Sequence, residues 1–316
     1  MPLSAERIRD AERRLFHRCQ ARVSERFVTV TVNDSPLRLR VLESGCGSPI
    51  LLLHPAGWFA AQWAPLIPHL PGHRLLCLDF PGHGLSDGVD YRKQEPRAHT
   101  VSMLRELLAA LALGSVQLVG NSLGGMAAFW LTIAEPSLVS SVVILGLPGS
   151  VLPGARADLA IAALSVPRIN RLLLKLPSNA KRSRALARRP LGEIACSHML
   201  EEMYEIQYLA SRRAEFGLSL STFMETTLRW RSPRPHVVLS NAELGRIRQP
   251  VQFIWGEADI YAAPAIGRDA AQRMPHATLE VRPGGHFPQL DDPEACGRSI
   301  AAFLSSQPRV SNPEHG

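Results

Sequence analysis

Three side chains set far apart along the chain have the types that nucleophilic acyl chemistry requires: Ser122, Asp259 and His286. A neutral serine hydroxyl is a weak nucleophile. It needs an imidazole to take its proton and a carboxylate to fix the imidazole's tautomer and steady the cation that forms. Ser122 lies in Gly120-Asn121-Ser122-Leu123-Gly124-Gly125, directly after the apolar run 116–119 and before the apolar stretch 126–133, which stops ahead of Pro136. That order predicts a strand, a sharp turn and a helix. In such a turn small residues two before and two after the serine permit backbone approach that a side chain would block. Gly120 and Gly124 hold those two places.

The partners come later in the chain. The apolar run 251–255 leads into Gly256-Glu257-Ala258-Asp259, and 278–281 leads into Gly284-Gly285-His286-Phe287. Asp259 is favoured over Glu257 because it stands further beyond its strand, where a carboxylate can reach an imidazole. His286 sits in a glycine-flanked loop able to present its ring to the top of a sheet. An oxyanion hole also needs backbone N–H donors. Leu123, next to the serine, is one candidate. Ala56, in His54-Pro55-Ala56-Gly57-Trp58, is the other, because Pro55 has no N–H to give.

The elements that must hold these residues can be read from the hydrophobic pattern. Residues 50–53, 75–78, 116–119, 142–145 and 251–255 are short apolar runs without alternation, as expected of parallel strands covered on both faces. Between them lie amphipathic segments. In one, Val101, Leu104, Leu108 and Leu111 recur at steps of three and four, with Gly114 expected as a left-handed C-terminal cap. This rhythm predicts a doubly wound α/β domain with its site at the carboxyl ends of the strands. Ahead of it, residues 26–32 and 37–42 flank the turn-forming Asn33-Asp34-Ser35-Pro36, which predicts a hairpin and an antiparallel start to the sheet.

Residues 1–25 carry alternating charges around Ile8, Leu15 and Phe16 and are expected to form an exposed helical extension or a loosely ordered arm. The core is expected over 26–149 and 245–307. Between them, 150–244 loses the strand signal and becomes helical, arginine-rich and punctuated by prolines, an inserted helical cap. Residues 308–316 are polar and expected to be a disordered tail.

Composition sets outer limits. With 46% apolar and 20% charged residues, and no apolar run of the roughly 18 to 20 residues that a spanning helix needs, neither a transmembrane segment nor a membrane partner is expected. The N-terminus lacks the pattern of a secretory signal, so a cytoplasmic location is expected. The net charge of +7 comes without a nucleic-acid motif, and no nucleic-acid partner is expected. Five scattered cysteines without a C-x-x-C pair are expected to be reduced and mostly buried. No histidine spacing suggests a metal and no glycine-rich fingerprint suggests a nucleotide, so no cofactor is expected. The stretch 181–189 has five basic residues and no acid; it reads as a solvated helix face or as a dock for an anionic substrate or carrier.

Taken together, His54-Pro55-Ala56-Gly57, the segment Asp79-Phe80-Pro81-Gly82-His83-Gly84-Leu85-Ser86-Asp87, Gly120 to Gly125, Gly256-Glu257-Ala258-Asp259 and Gly285-His286 resemble the α/β-hydrolase superfamily over roughly residues 26–306. The resemblance implies a mostly parallel central sheet with flanking helices and an inserted helical cap. It also implies that Asp79, His54 and His83 are supporting residues. The elbow is similar to that of the meta-cleavage-product hydrolases, which cut carbon–carbon bonds. Two departures from that group are Ala56-Gly57-Trp58-Phe59, where it has a glycine- and proline-rich loop, and Phe287, where it has tryptophan. An ester, lactone or thioester is therefore the expected substrate, with carbon–carbon cleavage, or ligand binding by a vestigial triad, as alternatives. Met199, Met203, Tyr204, Phe223, Met224, Leu228 and Trp230 are candidates for the pocket wall or for the cap's own core.

Overall fold

A computed structural model describes residues 2–175 and 179–307; the expected tail, 308–316, lies outside them. The strands are β1 (Ser24–Val32), β2 (Ser35–Ser44), β3 (Ser48–Leu53), β4 (His73–Asp79), β5 (Val116–Asn121), β6 (Val139–Leu145), β7 (Leu228–Arg229), β8 (Ser232–Pro233), β9 (Val251–Gly256) and β10 (Ala277–Arg282). The helices are α1 (Pro2–Arg18), α2 (Pro96–Ala110), α3 (Leu123–Ala134), α4 (Leu159–Leu164), α5 (Pro167–Lys175), α6 (Ala180–His198), α7 (Glu201–Ser211), α8 (Ala214–Thr227), α9 (Asn241–Arg246), α10 (Pro264–Ala271), α11 (Pro288–Asp291) and α12 (Pro293–Ser305).

Eight strands form one sheet in the order β1-β2-β4-β3-β5-β6-β9-β10. The β1–β2 and β2–β4 pairs are antiparallel and the rest are parallel. Asn33 and Asp34, both left-handed with φ of 49° and 60°, close the first hairpin. Such a turn matches the twist of the flanking strands. The apolar runs are buried throughout because each side of the sheet has its own cover. Leu51, Leu53, Leu76, Leu78 and Leu118 pack against α2 and α3, whereas Ile50, Leu52, Leu75, Cys77 and Val119 pack with Trp63 and with Ile300 and Leu304 of α12.

Between β6 and β9 the chain forms α4 to α8 and the small β7–β8 ladder. Phe216, Leu220, Phe223 and Met224 of α8 join the core on one side of the sheet. Leu191 and Ala195 of α6 and Met203 and Ile206 of α7 join the core on the other. The helical insertion thus has no separate core.

Three expectations need correction. The N-terminal segment is neither exposed nor loose: Ile8, Ala11 and Leu15 are fully buried at the four-residue and three-residue steps of one helix face, and α1 packs on α7. Its alternating charges hid that face. The left-handed residue after α2 is Ala112, with φ 55°, and not Gly114. Leu113 N–H bonds to Leu108 O and Ala112 N–H to Ala109 O, a Schellman ending whose paired leucines, both buried, hold alanine in a conformation glycine would enter more cheaply. Finally, all five cysteines are free, but only Cys77 and Cys296 are buried, and Cys46 is exposed.

Candidate active site

Ser122 is the single residue between β5 and α3, and turning the chain in that space forces it to φ 52° and ψ −114°. A non-glycine residue pays for such a conformation, and strain of this kind gathers at functional turns. The flanking glycines are required sterically. A Cβ on Gly120 would come 2.5 Å from the carbonyl of Gly124, and one on Gly124 would come 1.9 Å from Leu53 O at the end of β3. Met126 N–H bonds to Ser122 O at 2.9 Å and starts α3, whose first N–H is that of Leu123. The helix end therefore offers partial positive charge beside the serine.

His286 Nδ1 donates to Asp259 Oδ2 at 2.8 Å, and both side chains are buried. The carboxylate is fixed from two further directions, by Leu147 N–H to Oδ2 and by Tyr261 N–H to Oδ1, each at 3.0 Å. Burial pushes the Asp259 carboxyl up, but His286 and the two N–H donors outweigh it and hold the group below the usual carboxylate range. Glu257 is exposed and takes no part. With Nδ1 committed, Nε2 of His286 is buried and has no partner among the described residues. Tyr261 packs edge-on against the imidazole with ring centroids 4.5 Å apart.

The loop carrying Ala56 is held by the supporting residues. His54 Nδ1 donates to Pro55 O at 2.8 Å while its Nε2 accepts from Phe80 N–H at 3.0 Å. His83 Nδ1 donates to Pro81 O and its Nε2 accepts from Gly57 N–H, both at 3.0 Å. Burial holds His54 down to about 4, and burial together with His54 holds His83 down to about 3, so both rings stay neutral and keep these acceptors. Asp79 Oδ1 accepts from Ala60 N–H at 2.6 Å, and Oδ2 from Leu85 N–H at 3.1 Å and Arg40 Nη1 at 3.2 Å. Among the described residues, the N–H groups of Ala56 and Leu123 bond to no other protein group.

Ser122, Leu123, Ala56 and His286 all line one cavity of about 410 Å³, closed over by the helices between β6 and β9. Of the candidate wall residues, Phe223, Met224 and Leu228 face it. Met199, Met203 and Tyr204 belong to the core beneath α6 and α7, and Trp230 is exposed. No acidic side chain lines the cavity among the described residues, and the one fixed charge is Arg156. No cluster of three His, Cys, Asp or Glu able to hold a metal occurs among the described residues.

Several supporting residues escaped the sequence reading. Asn121 Nδ2 donates to Leu145 O at 2.6 Å and to His286 O at 2.9 Å, so the residue before the serine anchors the histidine's backbone. Asp291 accepts from Gly285 N–H at 2.8 Å and from Ala195 N–H at 3.0 Å, tying the same loop to α6. Burial raises the Asp291 carboxyl to about 6. Helix α6 comes this close because it breaks at Gly192, with φ 79°, bringing its backbone against Gly285. Glu12 of α1 bonds to Arg40 Nη1 at 2.8 Å, and through Arg40 reaches Asp79. The Asn121 neighbourhood was in view in the motif, but nothing in a linear pattern marks Glu12, Arg40 or Asp291 as partners.

Comparison with known proteins places this geometry in a lineage. Residues 48–293 match the family model described as alpha/beta hydrolase fold. A 2-hydroxy-6-oxononadienedioate/2-hydroxy-6-oxononatrienedioate hydrolase of Cupriavidus pinatubonensis is 25% identical over 297 residues, covering 90% of this chain and 96% of that protein. Among solved structures, carboxylesterase CesB of Bacillus subtilis superposes with a TM-score of 0.73 at 18% identity, covering 95% of this chain and 98% of the other. The 2-hydroxy-6-oxo-6-phenylhexa-2,4-dienoate hydrolase of a Rhodococcus strain does so with 0.71 at 21%, covering 90% and 100%. With more than half its length matched by the family model and a sheet, elbow and loop order to go with it, the chain belongs to the α/β-hydrolase fold family.

Proposed function

We propose that the protein is a serine hydrolase that cleaves a carboxylic ester, lactone or thioester through an acyl-enzyme. Ser122 Oγ attacks the carbonyl carbon as His286 Nε2 takes its proton. Asp259 holds the tautomer and stabilises the imidazolium, and the N–H groups of Ala56 and Leu123 receive the oxyanion. The imidazolium returns its proton to the leaving oxygen or sulfur. Water, deprotonated by the same histidine, then releases the acid and regenerates Ser122.

The observation that carries this reading is the division of labour on His286: Nδ1 is committed to a fixed carboxylate, while Nε2 is left bare in the cavity that Ser122 shares. In the test, wild type hydrolyses a short-chain aryl ester and is labelled by a fluorophosphonate. Ser122→Ala should lose the labelling and at least about 10³-fold in turnover. Equal rates for the two proteins would refute the assignment, and tight ligand binding without turnover would favour a vestigial triad.

A second reading, carbon–carbon hydrolysis, is supported by the curated relative's name and by Arg156, which offers the otherwise acid-free cavity a partner for a carboxylate. Against it stands Phe287, which packs on Trp58 with centroids 4.8 Å apart and brings no polar hydrogen to the pocket. Product analysis with an aryl ester and a ring-opened dienoate side by side separates the two.

A further inference from the structure

We propose that the outer face of the cap docks on an anionic phospholipid bilayer, with the mouth of the Ser122 cavity turned toward the lipid. From the sequence no membrane partner is expected, and no described helix is long and apolar enough to cross. A peripheral face has a different signature, and it is present here. Between Asp158 and Glu193 the chain has eight Lys and Arg and no acid, more than the whole chain's net +7. The remainder is therefore close to neutral, and the positive charge of this protein is a property of one region.

Apolar side chains stand in the same region. Ile169, Leu172 and Leu173 share one face of α5 at the three-residue and four-residue steps and are 40%, 63% and 40% exposed. Leu186 on α6 is 68% exposed and Leu159 on α4 is 59% exposed. Leu173 and Leu186 also line the cavity, so this face borders it. Arg182 and Arg189 lie four before and three after Leu186 on the same side of α6, Arg189 in an ion pair with Asp158 at 3.4 Å, and Arg168 adjoins Ile169. Leucines ringed by cations on short amphipathic helices suit the boundary between acyl chains and anionic headgroups. A second copy of the chain fits less well, because a two-fold contact would set the same cations against each other. An acidic partner would answer the charge but leave the leucines in water.

This docking does not depend on the proposed reaction, and its test reads binding directly. Co-sedimentation is measured with phosphatidylcholine vesicles with and without phosphatidylglycerol, for wild type and for the double variants Leu159→Glu/Leu172→Glu and Lys181→Glu/Arg188→Glu. Wild type is expected to bind the phosphatidylglycerol vesicles at least about tenfold more tightly than the neutral ones, and added salt to weaken that binding. Each double variant should weaken it by about tenfold or more while circular dichroism and thermal unfolding match wild type. These controls hold whether or not the protein turns over an ester. Absence of wild-type binding to either vesicle, or binding that survives the leucine pair, overturns the proposal. So does a wild-type dimer in gel filtration that the leucine pair dissolves without any vesicle binding.

Discussion

The carboxyl edge of the sheet and the helical cap meet at one cavity, yet they are built on opposite terms. At the edge the polar groups are pinned in place: Asp259 has three donors, Asn121 bonds two carbonyls, and His54, His83 and Asp79 tie residues 54–60 to residues 79–85. Backbone clearances there are so small that Gly120 and Gly124 admit no side chain. The cap presents Leu173, Leu186, Phe223 and Met224 to the same space and leaves leucines in solvent beside it. Chemistry demands fixed distances, since a misplaced base or donor loses rate steeply. Substrate choice demands shape, which apolar side chains can supply in many ways.

That contrast can be broken or sharpened in order of expected size. Asp259→Asn should lower kcat about 10³- to 10⁴-fold with little change in KM, by freeing the tautomer of His286; ester kinetics that fall less than tenfold would show that the edge tolerates slack. Arg40→Met leaves Glu12 and Asp79 as buried carboxylates without their cation, and about 3–5 kcal/mol of stability should be lost in urea unfolding. Asn121→Ala strands two buried carbonyls and should cost about 1–3 kcal/mol, with kcat falling more than KM because the serine and histidine loops lose their tie.

On the cap side, Arg156→Gln should raise KM for a carboxylate-bearing ester about tenfold relative to its neutral analogue, a difference of about 1.4 kcal/mol. An unchanged ratio would remove Arg156 from substrate selection. A separate effect is in pH. His54, His83 and His99 are held near 4, 3 and 4, below the ordinary histidine value of 6.5, so their contribution to stability is present above that value and is lost on acidification. Asp291, raised from 3.8 to about 6, acts in the opposite sense: its contribution is present below the ordinary carboxylate value and lost as pH rises through about 6. Melting temperature should therefore fall between pH of about 6 and about 4, and fall more steeply in Asp291→Asn, where the opposing group is gone.

The same division explains what could be read from the sequence. Ser122, its two glycines and the five apolar runs were legible because each position accepts so few residue types that the linear pattern carries the constraint. Asp259 was separable from Glu257 by its distance past β9 alone. Arg40 and Glu12 were not legible, since a buried ion pair looks like two surface charges until the chain brings them together. Nor was the end of α2: propensity pointed to Gly114, while the Leu108–Leu113 contact fixed the turn two residues earlier at Ala112. The cap resisted finer reading because its wall residues and its core residues are the same kinds of side chain.

The path from Glu12 through Arg40 to Asp79 has a practical corollary for anyone trimming this chain. The family match begins only at residue 48, so a cut placed just before β1 would look harmless. It would discard Glu12, one of the carboxylates facing Arg40, and uncover the patch where α1 rests on α7. The arginine would then be left with Glu25 and Asp79, and Asp79 is the group that fixes Ala60 and Leu85 beside the loop carrying Ala56. An expression boundary, an affinity tag or a proteolytic nick within the first eighteen residues is in that sense an intervention at the candidate active site.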